Sequence, residues 1–202
     1  MENDIIRSGY NQISADYHAR RLTKQAINRQ YFDALSDHLP AEGKMLDLGC
    51  GSGIPVTKCF ADKGFAVTGV DISEKMIEIA RKEVPNGAFF VADMCQLSFP
   101  ENHFDLILST FAIIHVPREK QATLFQNLKY WLKKGGRAYL VLGSEDKAME
   151  IKEDWHGVEM YWSHFDPETY QTLLTEIGFK MVWEEHEVLP NGESFYNVII
   201  EK

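Results

Sequence analysis

The chain has little of what would hold it together without an ordinary hydrophobic core. Cysteine occurs three times in 202 residues, at Cys50, Cys59 and Cys95. An odd number without C-x-x-C spacing argues against a disulfide framework or a zinc site, and for the reduced thiols of a cytoplasmic protein. Basic residues are outnumbered, 21 Lys and Arg against 30 Asp and Glu, leaving a net charge of −9. Unspecific binding to a phosphate backbone depends on Lys and Arg, so nucleic acid is not expected as a partner. The sequence has no apolar run of the roughly 20 residues that span a bilayer, and Met1-Glu2-Asn3-Asp4 lacks the basic start of a secretory leader. Membrane insertion and secretion are therefore not expected. The histidines are scattered without ligand spacing, so no metal site is expected either.

What is present is the mixture of a globular protein, 45% apolar and 25% charged. With neither repeats nor low-complexity segments, it is expected to form a single domain over residues 1–202. Ile5, Ile6, Tyr10, Ile13 and Tyr17, then Ile27, Tyr31 and Leu35, recur at three- and four-residue steps, predicting a helical cap over residues 1–40. Strands near 45–48, 65–70, 88–92, 104–109 and 137–142 then alternate with helices near 54–63, 74–83 and 118–133. Ser73 stands as a cap, Pro117 as a helix start and Gly135-Gly136 as a stop. Asp166-Pro167 opens a further helix that Gly178 ends. Strands near 181–188 and 195–201 follow, joined through Pro190-Asn191-Gly192 as an antiparallel hairpin. The alternation predicts an α/β fold, a doubly wound parallel sheet covered on both faces.

The most informative stretch is Met45-Leu46-Asp47-Leu48-Gly49-Cys50-Gly51-Ser52-Gly53, followed by a second apolar run ending at Asp71. An apolar strand, a glycine loop, a helix and a strand ending in a carboxylate form the layout of a βαβ nucleoside site. Glycines let a ligand lie against bare backbone, and Asp71 can accept from both hydroxyls of a ribose. A nicotinamide cofactor is the rival ligand, but its G-x-G-x-x-G/A spacing would need a small residue where Ile54 stands. Asp47, two residues before the first glycine, can brace the loop or attract an ammonium group.

The run acidic-x-G-x-G-x-G resembles the first motif of the class I S-adenosylmethionine-dependent methyltransferases. The resemblance continues in order through Asp71-Ile72, Val91-Ala92-Asp93-Met94, Phe104 to Ser109-Thr110, and Leu132 to Arg137. It implies a seven-stranded, mostly parallel sheet with the antiparallel hairpin at one edge, and S-adenosylmethionine as cofactor. It also implies a cofactor site made of Asp47, Gly49, Gly51, Gly53, Asp71, Ile72, Asp93, Met94, Ser109 and Thr110, with Asp93 on the adenine amino group. In related small-molecule enzymes a tyrosine from the segment of Tyr10 and Tyr17 folds over the methionine end. The Asn/Asp-Pro-Pro-aromatic sequence of nucleic-acid amino-methyltransferases is absent after Leu108, and so is the strand-end Asp of the metal-dependent catechol type. A small-molecule acceptor is thus expected; a catalytically silent binding subunit of the same fold is the alternative.

Residues 144–165 form a long connection dense in aromatics, from Trp155 and His156 to Tyr161, Trp162, His164 and Phe165. They are expected to make an acceptor lid. His115, His164, Tyr161 and His156 are the candidate acid–base groups.

Overall fold

The structure is a computed structural model that describes residues 1–23, 32, 35, 39, 40, 42–189 and 191–202. Ile27, Tyr31 and Pro190, named above, lie outside the described residues. Helix α1 (Glu2–Thr23) leads into β1 (Lys44–Leu48), α2 (Val56–Asp62), β2 (Ala66–Asp71), α3 (Glu74–Glu83), β3 (Ala88–Val91) and β4 (Phe104–Thr110). Then come α4 (Arg118–Trp131), β5 (Leu132–Gly143), β6 (Lys147–Trp155), β7 (Val158–His164), α5 (Pro167–Ile177), β8 (Lys180–Val188) and β9 (Ser194–Glu201). Single 3-10 turns sit at Met94–Gln96 and Ile113–His115.

Seven strands form one sheet in the order β3-β2-β1-β4-β5-β9-β8. β1 pairs in parallel with β2 and β4, whereas β9 runs antiparallel to both β5 and β8. This is the expected α/β architecture, hairpin edge included. Its two faces carry separate cores. Leu46, Leu48, Ile107 and Leu140 pack with α4 and α5 through Phe125, Trp131 and Tyr170. Met45, Val67, Leu106 and Val141 pack on the other face with Phe60, Ile77 and Ala80 of α2 and α3. Strands buried on both faces read as continuous apolar runs, as Leu106-Ile107-Leu108 does in the middle of β4.

Local chemistry sets several boundaries where the sequence predicted them. Ser73 Oγ accepts from Met76 N–H at the start of α3, and Asp166 does the same for Thr169 at α5, which ends in left-handed Gly178. The end of α4 differs from expectation. The helix stops at Trp131, four residues before Gly135, and Leu132 already pairs with Phe104. Fully buried Leu132 is pulled into the sheet, and the last carbonyls of the helix find other donors. Asn102 N–H reaches Tyr130 O at 3.1 Å, and His103 N–H reaches Trp131 O at 2.7 Å.

The larger correction concerns residues 144–165, read as a connection. They form a two-stranded β-hairpin, β6 and β7, turning at His156-Gly157 outside the main sheet. β7 lies against α1. Val158, Met160 and Tyr161 pack with Ile6 and Ile13, and Met160 Cε fills the space where a side chain on Gly9 would sit.

Candidate functional site

A cleft open to solvent at its mouth lies between α1 and the carboxyl ends of the strands, where doubly wound folds bind ligands. Asn3, Ile6, Tyr10, Tyr17 and Arg21 line it from one face of α1. The loop after β1 faces them. Gly49 and Cys50 N–H both donate to Val70 O, at 2.7 and 3.0 Å, which folds the loop back over β2. Gly49 (φ +75°) admits no side chain, since a Cβ would stand 2.1 Å from that of Ala112. Gly51 (φ +53°) has open space where a Cβ would lie, the bare backbone a ligand requires. Gly53 does not line the cleft; it packs on Ala80 of α3 and on Val84 just after that helix.

Asp71 ends β2 in the cleft wall. Its Oδ2 accepts from Gly51 N–H at 2.8 Å and its Oδ1 from Ser73 N–H at 2.9 Å. Each oxygen keeps a lone pair. Burial nevertheless raises its pKa to about 6, against the lowering effect of those N–H groups. Asp47 is more deeply placed, 1% exposed. Its Oδ2 accepts from Thr57 Oγ1 at 2.6 Å, and burial lifts its pKa to about 7. Asp47 Oδ1 and Ser52 Oγ are both buried and have no hydrogen-bond partner among the described residues, although both residues line the cleft. Orphaned buried polar atoms in a binding cleft mark where a ligand completes the pairing.

Asp93, Ile72, Met94 and Thr110 also line the cleft. Ser109 does not: fully buried, it donates its hydroxyl to Leu48 O at 2.9 Å and ties β4 to β1.

Of the acid–base candidates, the structure brings His115 alone to the cleft. Its Nδ1 lies 2.6 Å from Tyr161 O; a carbonyl can only accept, so Nδ1 carries the hydrogen. Burial lowers the His115 pKa to about 4, the ring is neutral, and the bare Nε2 accepts from Tyr10 O–H at 2.9 Å. Tyr161 thus contributes its carbonyl, while its side chain packs among Ile6, Ile13 and Met160. His164 bonds Glu145 O through Nδ1 and fills the space over Gly143. His156 reaches Arg20 at 2.7 Å, away from the cleft. The aromatics of the hairpin back α1 from outside, with Trp155 edge-on to Tyr10 at 5.8 Å, and they do not wall the cleft.

Sequence reasoning missed three contributors. Gln121 Nε2 donates its two hydrogens to Val116 O and Ser163 O, at 2.8 and 2.9 Å, and fixes the turn that carries His115. Arg21 lies over the rings of Tyr17 and Phe111, at 5.2 and 5.4 Å. Asn3 reaches Asp93. None has a local signature, because each acts across more than one element.

A family model described as a methyltransferase domain matches residues 45–136. Phosphoethanolamine N-methyltransferase of Plasmodium falciparum is 31% identical over 192 residues, covering 83% of this chain and 71% of that protein. The biotin biosynthesis bifunctional protein BioHC of Cellvibrio japonicus is 31% identical over 165 residues, 80% of this chain, which spans about a third (32%) of that protein's length. An 18S rRNA (guanine-N(7))-methyltransferase of Schizosaccharomyces pombe is 31% identical over 144 residues, covering 65% of this chain and 53% of that protein. Among solved structures, the 1,6-didemethyltoxoflavin-N1-methyltransferase of Burkholderia thailandensis, with bound S-adenosylhomocysteine, is similar with a TM-score of 0.73 at 21% identity. It covers 97% of this chain and 86% of that one.

Proposed function

The chain belongs to the class I S-adenosylmethionine-dependent methyltransferases, and from that premise we propose that it methylates a small organic acceptor in the cleft under α1. The observation that carries the reading is the pair of orphaned atoms, Asp47 Oδ1 and Ser52 Oγ, beside the bare backbone of Gly51 and the carboxylate of Asp71. An amino-acid end would give Asp47 its ammonium and Ser52 a carboxylate oxygen. A ribose would use the remaining lone pairs of Asp71, and an adenine amino group the one that Asp93 keeps.

S-adenosylmethionine supplies a methyl group already activated by its positive sulfur. The protein's part is alignment and exclusion of water. Tyr10 and Tyr17 close the cleft from α1, and the hairpin, proposed as a clamp over residues 144–165, holds that helix down. Tyr10 with His115 is the proposed proton path. An acceptor atom that has gained a methyl becomes a much stronger acid. Its proton can pass to Tyr10 oxygen while the Tyr10 proton passes to His115 Nε2, even with His115 near a pKa of 4. Because that base is weak, Tyr10→Phe is expected to lower turnover only about tenfold and to leave S-adenosylhomocysteine affinity within a few fold. Steady-state kinetics and calorimetry on the same preparation check both halves.

The small acceptor is favoured over nucleic acid by the net charge of −9. The whole chain is proposed to work as one methyltransferase domain in the cytoplasm, in keeping with an odd number of cysteines without C-x-x-C spacing. No helix among the described residues is long and apolar enough to cross a membrane. The test is calorimetry with S-adenosylmethionine, S-adenosylhomocysteine and NAD, followed by transfer of labelled methyl to a metabolite extract and to total RNA. Binding of the first two at roughly micromolar strength, about −8 kcal/mol, with label in small molecules supports the reading. Label in RNA, or affinity for NAD, defeats it.

Chelators are expected to leave turnover unchanged. The strand end after Leu108 offers Ser109, already committed to Leu48 O, and Thr110 in place of a carboxylate. Activity lost with EDTA and restored by magnesium would refute this.

A further inference from the structure

Two asparagines on α1 touch the two nucleoside carboxylates of the cleft, one directly and one through a single intermediary. Asn3 Nδ2 donates to Asp93 Oδ2 at 2.9 Å. The same oxygen takes a bond from Gln96 Nε2 at 3.2 Å, and Asp93 Oδ1 takes one from Cys95 N–H at 2.9 Å. A carboxylate offers about four lone-pair sites, so these three donors leave one, and they fix its direction. Asn11 Oδ1 accepts from Ser73 Oγ at 2.6 Å and from Lys75 N–H at 3.1 Å. The N–H of Ser73 in turn donates to Asp71 Oδ1, so Asn11 holds the residue that holds Asp71. Both asparagines sit on a helix that otherwise meets the cleft with Ile6, Tyr10, Tyr17 and Arg21.

We propose that Asn3 and Asn11 are positioning residues for adenosine: by orienting Asp93 and Asp71 from α1, they make seating of the helix and reading of the nucleoside one event. This rests on the assignment of those two acids to the adenosine half of the cofactor. Plain anchoring of a helix would cost stability without regard to the ligand. Positioning instead makes nucleoside binding and helix seating reinforce each other, with the same coupling in both directions.

The test uses the full chain, titrated calorimetrically with S-adenosylhomocysteine and with adenosine, and hydrogen exchange of the α1 amides with and without adenosine. Asn3→Ala and Asn11→Ala are each expected to weaken both ligands by the same factor, about five- to tenfold. Asn3→Asp, which sets two carboxylates against each other, should weaken them further. Asn11→Asp, made together with Glu74→Gln so that it does not face the carboxylate to which Asn11 Nδ2 donates at 2.7 Å, keeps the acceptor for Ser73 and should stay within about threefold of wild type, a variant that also serves if Asn11→Ala fails to fold. Each loss should vanish when its acid is already removed, as Asp93→Ala or Asp71→Ala, and adenosine should slow α1 exchange less in the alanine variants than in wild type. Asparagine variants that bind both ligands like wild type, or lose affinity equally without the acids, overturn the proposal and leave the cofactor reading intact. Failure of the wild-type chain to bind either ligand removes the assignment of the acids, and the proposal with it.

Discussion

Replacing Asp71 by alanine is expected to weaken S-adenosylhomocysteine binding about a hundredfold, roughly 2.7 kcal/mol. The carboxylate has two tasks at once. Its free lone pairs are proposed to receive ribose hydroxyls, and charge-assisted bonds of that kind are worth about 1.5–3 kcal/mol. Its filled lone pairs hold Gly51 N–H and Ser73 N–H, so removal also frees the glycine loop and the cap of α3. Asp71→Asn should be nearly as damaging, because its amide nitrogen would face an N–H that needs an acceptor. The wild-type protein should show the same dependence through pH. Burial lifts the Asp71 pKa to about 6 and that of Asp47 to about 7, so affinity should fall as pH is lowered from 8 to 5 and both acids neutralise. Calorimetry across that range checks the mutant and the profile together; an unchanged affinity in Asp71→Ala would remove the ribose assignment.

The parts legible in the sequence are those whose causes are local. The run from Met45 to Asp71 specifies strand, loop, helix and strand within 27 residues, and Ser73, Asp166 and Gly178 end their helices by contacts three or four residues away. The hairpin β6–β7 was not legible. Its alternation is weak, exposed along most of β6, because it packs on α1 through a few large side chains in place of one regular apolar face. The density of Trp, Tyr and His at 155–165 was therefore read as a pocket wall when those rings brace a helix. His164 and Tyr161 looked reactive for the same reason. Their partners, Glu145 O and His115, depend on how β5, the hairpin and the turn at Ile113–His115 meet in space. Asn3 and Asn11 carried no signal, since a polar residue on a helix is ordinarily solvated. Asp47 was the reverse case, a carboxylate inside an apolar strand, where a local rule broken at a buried position pointed to the cleft.

That breach has an energetic consequence of opposite sign for folding and for binding. Asp47 titrates near 3.8 in the unfolded chain and near 7 in the fold, raised chiefly by burial. The native state therefore holds a proton that the unfolded state has lost between those values, and stability falls as pH rises through the window. Below about pH 4 both states are protonated and the carboxyl costs nothing. Above about pH 7 the full penalty applies, about 4 kcal/mol at most. Asp47→Asn abolishes this titration and keeps an acceptor for Thr57 Oγ1–H, although its amide nitrogen goes unpaired at about 1–3 kcal/mol. The ligand-free variant is thus expected to be more stable than wild type at pH 8 by about 1–3 kcal/mol, a rise of several degrees in melting temperature, and to lose that advantage by pH 4. Cofactor binding should move the other way, since a neutral amide cannot pair with the ligand's ammonium, and S-adenosylhomocysteine affinity should drop at least tenfold. The wild-type protein should also release more than one proton on binding near pH 6, most of it from Asp47 and the rest from Asp71, measured as heats that vary with the buffer's ionisation enthalpy, and Asp47→Asn should release less. A variant that melts lower than wild type at pH 8, or binds the ligand undiminished, would show that the buried carboxylate is held for the loop and not for the ammonium.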